Sequence, residues 1–314
     1  MSAITIVSIL YAVLASITIL FSLTVLLVIT SHWRLECRST ANLLTCNSCS
    51  ALFLYGLTLA LQVPFVLQNN PNDASFLLCK IRSFIYTYSS FIVSYSFLNM
   101  AVSCYFITML SKFRYLLSFQ THWFIIIISW VLSVIVAIPT FFCPYAYVYE
   151  VESGLCVLTT KYFLTAFIVA IVVFIIPLNA IILLYGAIIF HIVQQKRIRT
   201  NNLSTSRAKR NIKVFKKIFL YTGILVIGGT PYFSSTIFHQ MGYYSPVLIL
   251  VVHLSIASGC AFDSIAILLT NKQVKNILLV KVGHRQMDPA INIHQRTFIN
   301  YNQIQTIAVL PKVD

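Results

Sequence analysis

Residues Cys79–Leu110, CKIRSFIYTYSSFIVSYSFLNMAVSCYFITML, decide the fold. Between Arg82 and Lys112 the chain carries no charge, yet Ser, Thr, Asn and Tyr recur along the whole stretch. As a helix rising about 1.5 Å per residue it would be roughly 45 Å long, more than the roughly 30 Å hydrocarbon layer of a membrane, so it is expected to cross at a tilt. A helix facing lipid would not carry so many polar groups, and this one needs protein neighbours on several sides. Tyr86, Ser90 and Ser94 share one face at i, i+4 and i+8, and Asn99 and Ser103 share another. The stretch reads as a central helix. Cys156, in the short polar segment ESGLC between two later apolar runs, is a candidate partner for Cys79 that would pin a loop over the helices.

Composition agrees with a membrane setting. With 59% hydrophobic and 9% charged residues and a mean hydropathy of +0.86, a soluble chain of 314 residues would need an implausibly large core. The net charge of +15 invites a nucleic-acid reading, but the Lys and Arg residues fall on alternate sides of apolar spans, which argues against it.

Working outward from the central helix, a first uncharged run extends from Ile4 to about Thr30 and is followed by Arg34 and Arg38. Met1-Ser2-Ala3 lacks the basic start of a signal peptide, so this run is kept as helix one. A second span covers about Ala41 to Leu67, with Pro64 near its end and an NNPND turn, Asn69 to Asp73, after it. A fourth runs from about Trp123 to Phe142 and contains Trp130 and Pro139. The fifth, from about Tyr162 to Ile192, is interrupted by Pro177 and hands over to a basic loop from Lys196 to Lys217. From Ile218 to Asn271 only Asp263 is charged, and His239–Pro246, HQMGYYSP, divides this run into a sixth and a seventh span.

The expected architecture is therefore an all-α, seven-transmembrane bundle with its N-terminus outside and its C-terminus inside. Of the 22 basic residues only Lys80, Arg82 and Lys161 fall outside in this topology, leaving 19 on the inner side. The charge is thus mostly a topology signal, with contact to anionic lipid or an acidic partner as a secondary use. After the seventh span, Asn271–Val280 alternates basic and apolar residues as a short amphipathic, interfacial eighth helix would. Residues 1–280 are expected to form the seven-transmembrane domain with its short eighth helix and residues 281–314 a flexible cytoplasmic tail.

In order and spacing these features resemble the rhodopsin-like family of G-protein-coupled receptors across nearly the whole chain. Cys79 and Cys156 match the family's disulfide pair, and Trp130 its fourth-helix tryptophan. Asn42 and Asn47 in NLLTCN resemble the start of its second-helix pattern. Pro177 with Tyr185, and Pro231 with Tyr232, match the fifth- and sixth-helix proline sites. DSIAILLTNKQVKN, from Asp263, lies where the family has NPxxY and its eighth helix. The resemblance implies a plasma-membrane receptor for an extracellular small molecule or peptide that signals through a heterotrimeric G protein. Cys104, Tyr105, Tyr185, Lys213, Lys216 and Lys217 would then face the G protein.

The departures are as specific as the matches. Leu52 stands where the family has an acidic second-helix residue, which removes the basis for its buried sodium site. Ser103-Cys104-Tyr105 replaces Asp/Glu-Arg-Tyr, Gly228-Gly229-Thr230-Pro231 replaces Cys-Trp-x-Pro, and the NPxxY site has neither proline nor tyrosine. The reading placed first is a drifted chemosensory receptor that switches through other packing contacts, ahead of one that has lost coupling. A transporter or channel subunit is the alternative from another class, but no internal repeat and only one intramembrane charge argue against it.

Projecting the family's ligand site onto matching positions gives Tyr86, Ser90, Tyr232, Phe233, Thr236 and His253. Tyr86 occupies the place of the amine receptors' aspartate, so an amine is expected to find no counter-ion there, and the set suits a largely apolar neutral ligand or an aromatic peptide side chain. His253 reads equally as a satisfied core histidine. Asp263, the one carboxylate inside a span, needs either a buried partner, with Asn99 and Ser103 as candidates, or a functional role. Gly228 and Gly229 before Pro231 mark a kink or hinge. No enzyme, cofactor or metal constellation is present in the sequence.

Overall fold

The computed structural model describes residues 3–33, 39–68, 76–110, 112–143, 146–150, 155–159, 163–198, 203–243 and 246–281. In a bilayer every backbone N–H and C=O must find a partner inside its own segment, and uncharged runs of this length satisfy that condition as helices. The first four spans are α1 (Ala3–Ser31), α2 (Thr40–Gln68), α3 (Phe76–Met109) and α4 (Phe119–Phe142). The fifth is α5 (Phe163–Ala170), a π-helical turn over Ile171–Ile175 and α6 (Ile176–Ile198); the sixth is α7 (Leu203–Gln240) and the seventh α8 (Pro246–Thr270). All seven are long and apolar enough to cross a membrane. The chain divides into two units, Met1–Asn271 and Lys272–Asp314. In the second, α9 (Lys272–Lys281) exposes Lys272, Lys275 and Asn276 and shields Val274 and Ile277, an amphipathic pattern.

Two local signals move the boundaries from their expected places. α4 begins four residues before Trp123, because the Ser118 side chain caps it by accepting the Thr121 N–H at 3.2 Å. The basic stretch expected as a loop is helix on both sides, up to Ile198 and from Leu203. Lys and Arg are good helix formers, so the two flanking spans extend past their apolar parts. Before Pro177 the chain widens into the π turn; a proline lacks its own N–H and its ring crowds the carbonyl four residues back, and a widened turn relieves both.

α3 is central: it packs on α2, α4, α6, α7 and both strands of a hairpin. Its apolar part, like that of α2, is 61% buried, against 28% for α4 and 22% for the fifth span. The hairpin pairs β1 (Tyr147–Glu150) antiparallel with β2 (Leu155–Leu158), Tyr149 opposite Cys156, and is the one sheet among the described residues. Leu20, Phe124, Leu183 and Ile227 are among the large side chains left on the outer surface, where lipid is the solvent. Polar residues on that surface return their hydroxyls to their own helix, as Thr24 does to the Leu20 carbonyl at 2.7 Å and Thr230 to the Val226 carbonyl at 2.6 Å.

Candidate functional site

The hairpin forms a roof. Cys156 on β2 is disulfide-bonded to Cys79 near the start of α3, with Cα atoms 5.3 Å apart. Its backbone N–H also donates to Gln62 Oε1 of α2 at 3.2 Å. On the other strand the Tyr147 hydroxyl lies 2.6 Å from Thr140 Oγ1 of α4, and Tyr147 belongs to a buried cluster with Phe91, Ala137, Leu158 and Val169. Three helices thus hold the hairpin, one by a disulfide and two by hydrogen bonds.

Beneath the roof is a cavity with about 900 Å³ of empty space including its open mouth. Val157 and Leu158 close its top. α3 supplies Tyr86, Thr87, Ser90, Val93 and Ser94; the fifth span supplies Val169, Ala170, Val173 and Phe174. α7 contributes Leu225, Gly228, Gly229 and Tyr232, spaced i, i+3, i+4 and i+7 on one face. α8 contributes His253, Ile256, Gly259, Cys260 and Asp263, and α2 contributes Tyr55. Tyr86 is the hinge of the polar side: its hydroxyl lies 2.9 Å from that of Tyr55, and its ring stacks near His253 with centroids 6.5 Å apart.

Four of the six expected ligand residues, Tyr86, Ser90, Tyr232 and His253, therefore line one cavity. Phe233 and Thr236 lie outside that lining. Phe233 is one residue off the α7 stripe and stacks on Phe167 of α5, centroids 6.2 Å apart. Thr236 is one turn past Tyr232 and buried, its hydroxyl donating to the Tyr232 carbonyl at 3.0 Å. The expected faces of α3 hold: Tyr86, Ser90 and Ser94 line the cavity, while Asn99 and Ser103 both turn to α4.

That second face corrects the reading of Asp263. Asn99 Nδ2 donates to Ser129 Oγ at 2.8 Å, and Ser103 Oγ pairs with His122 Nε2 at 2.9 Å, so neither serves the carboxyl. Asp263 sits instead in the cavity lining, 1% exposed, and its Oδ1 has no hydrogen-bond partner. Helical phase contained this placement: His253, Ile256, Cys260 and Asp263 are spaced i, i+3, i+7 and i+10 on α8. The lining from the fifth span had no such signal, because the π turn resets the phase between Ala170 and Ile176.

Gly228 and Gly229 act here through close approach. A Cβ on Gly228 would lie 3.1 Å from the Ser255 carbonyl oxygen and 3.4 Å from Gly259 Cα, so α7 and α8 touch backbone to backbone. A Cβ on Gly229 would lie 2.5 Å from Cε2 of Phe174, whose ring fills the notch. α7 runs as one helix through Pro231.

At the end away from the hairpin, Cys104 and Tyr185 are buried within electrostatic reach of each other, and Tyr105 is half-buried. The Tyr221 and Thr270 hydroxyls bond α7 to α8. Lys217 is half-buried at the start of the sixth apolar span; the side chains of Lys213 and Lys216 lie outside the described residues. Trp130 Nε1 donates to Asn47 Oδ1 at 2.8 Å, joining two of the sites on which the resemblance rested. Among the described residues no group of three His, Cys, Asp or Glu side chains is placed to hold a metal ion.

Comparison with family models matches residues 22–268 to the 7 transmembrane receptor (rhodopsin family). Comparison with curated proteins found no match.

Proposed function

Since the chain belongs to the rhodopsin family of seven-transmembrane receptors, we propose that it is a plasma-membrane receptor that takes an extracellular ligand into the cavity beneath the hairpin and signals through a heterotrimeric G protein. The observation that carries this reading is the cavity itself, a mostly apolar chamber under a cross-linked roof with a few hydroxyls and one imidazole along its wall. Such a lining supports a small molecule, or a peptide side chain, with substantial apolar surface. The excess of basic residues at the opposite end favours placing that end, α9 and the tail in the cytoplasm, with the hairpin and N-terminus outside.

Tyr86 and His253 are proposed to touch the ligand. Once an agonist is found, Tyr86→Ala and His253→Ala should each cost about 1–2 kcal/mol of binding, a roughly 5- to 30-fold loss of potency, at unchanged surface expression. Full potency in both would remove the cavity from the ligand's path.

Coupling is proposed to use the basic ends of the fifth and sixth spans, where a local positive field faces acidic partners and anionic lipid. Neutralising Lys213, Lys216 and Lys217 together should lower basal or agonist-driven signalling, read with G-protein dissociation sensors, while surface staining is unchanged. An undiminished signal would leave those charges with topology as their sole role.

A further inference from the structure

The floor of the cavity is chemically unlike its walls. Asp263 is 1% exposed, it lines the cavity, and its Oδ1 has no hydrogen-bond partner. The candidates that would have satisfied it, Asn99 and Ser103, are bonded to α4. Among the described lining residues there is no Lys or Arg. His253, ten residues away on the same helix, lies about 15 Å up the axis, too far to serve as the partner. The same figure sets the shape of the chamber: it is elongated along α8, from the imidazole near the roof to the carboxyl at the floor. Gly228, Gly229 and Gly259 belong to the lining between these ends.

An unpaired carboxyl in an apolar chamber is costly, and a group that brings positive charge and N–H donors to it recovers that cost. Resting on the cavity being the ligand site, we propose that the ligand is an elongated apolar molecule ending in a cationic amine, and that the amine seats on Asp263 at the cavity floor. Tyr86 then contacts the apolar body, and the absence of an acidic group at that level does not exclude an amine. The counter-ion lies deeper, on α8.

The test uses the purified receptor in detergent at pH 7, in potassium phosphate free of sodium and organic ammonium ions, with phenylbutylamine and its neutral counterpart phenylbutanol as probes, and reads binding from the thermal midpoint. The amine should stabilise the wild type at concentrations about tenfold or more below those the alcohol needs, and Asp263→Asn should remove that advantage while leaving the alcohol's effect within about twofold. The amine–alcohol comparison on the wild type stands even if the variant fails to fold. Equal stabilisation by both probes, insensitive to Asp263→Asn, would overturn the amine anchor and leave the cavity reading standing. No stabilisation by either would overturn both. Sodium chloride alone giving a stabilisation that Asp263→Asn abolishes, with no preference for the amine, would overturn the proposal in favour of an inorganic cation.

Discussion

Gly229→Ala will destabilise the bundle by about 1–3 kcal/mol, the usual cost of forcing a methyl group into a filled site. The added carbon would sit 2.5 and 2.7 Å from two atoms of the Phe174 ring, well inside the roughly 3.5 Å at which carbon contacts are favourable. Either the ring leaves its notch or α7 moves away from the fifth span. A second substitution separates this collision from any general intolerance of the helix: adding Phe174→Ala empties the notch, so the double variant should recover part of the loss despite the missing ring. The thermal midpoints of the four proteins in the cycle give the coupling directly. Additive effects would mean that the glycine and the ring do not share the notch. The ring that fills the space beside Gly229 comes from the fifth span, so the collision would be felt between α7 and that span.

Loss of the Cys79–Cys156 disulfide is the other large effect. The bond closes a separation of 77 residues, for which chain entropy alone would give about 4 kcal/mol in a soluble protein. Unfolded spans stay in the bilayer and are already confined, so about 2 kcal/mol is the better expectation here. Cys79→Ser with Cys156→Ser should lower the thermal midpoint and sharply weaken ligand binding, because the roof would be left with its Gln62 and Thr140 hydrogen bonds and the packing of Tyr147 and Leu158. Non-reducing peptide mapping checks the premise, since both thiols should resist alkylation until a reductant is added. A double variant as stable as the parent would show that the bond contributes little to holding the hairpin.

How much of this was legible in the sequence follows from the kind of signal each feature leaves. Span number and the central place of α3 leave charge-free runs and a polar interior face, and both were readable. Tyr86, Ser90 and His253 came from spacing against the family pattern, and they do line one cavity. Asp263 stands out in the sequence for its cost, but its neighbours do not. Choosing between Asn99 and the cavity depends on which face of α3 meets α4, and the Ser129 and His122 partners that fix this lie on a separate helix. Phe233 lies outside the lining for a related reason, one residue of rotation on α7 being enough to turn it to Phe167. Val157 and Leu158 reach the cavity through a tertiary staple, and their four-residue strand carries no pattern that announces it.

The π turn over Ile171–Ile175 has an evolutionary consequence. It holds one more residue per turn than the helix on either side, so deleting a single residue there would restore an ordinary α-helix and break neither flanking segment. The widened turn takes up the extra residue with nearly the same total rotation as one residue fewer in an α-helix, so both flanking segments keep their facing after the deletion. Val169 and Ala170 would go on facing the cavity and Phe167 would stay on Phe233, while the wall beside Val173 and Phe174 would be rebuilt. The fifth span thus contains a site at which an indel of one codon is confined to one stretch of the cavity wall.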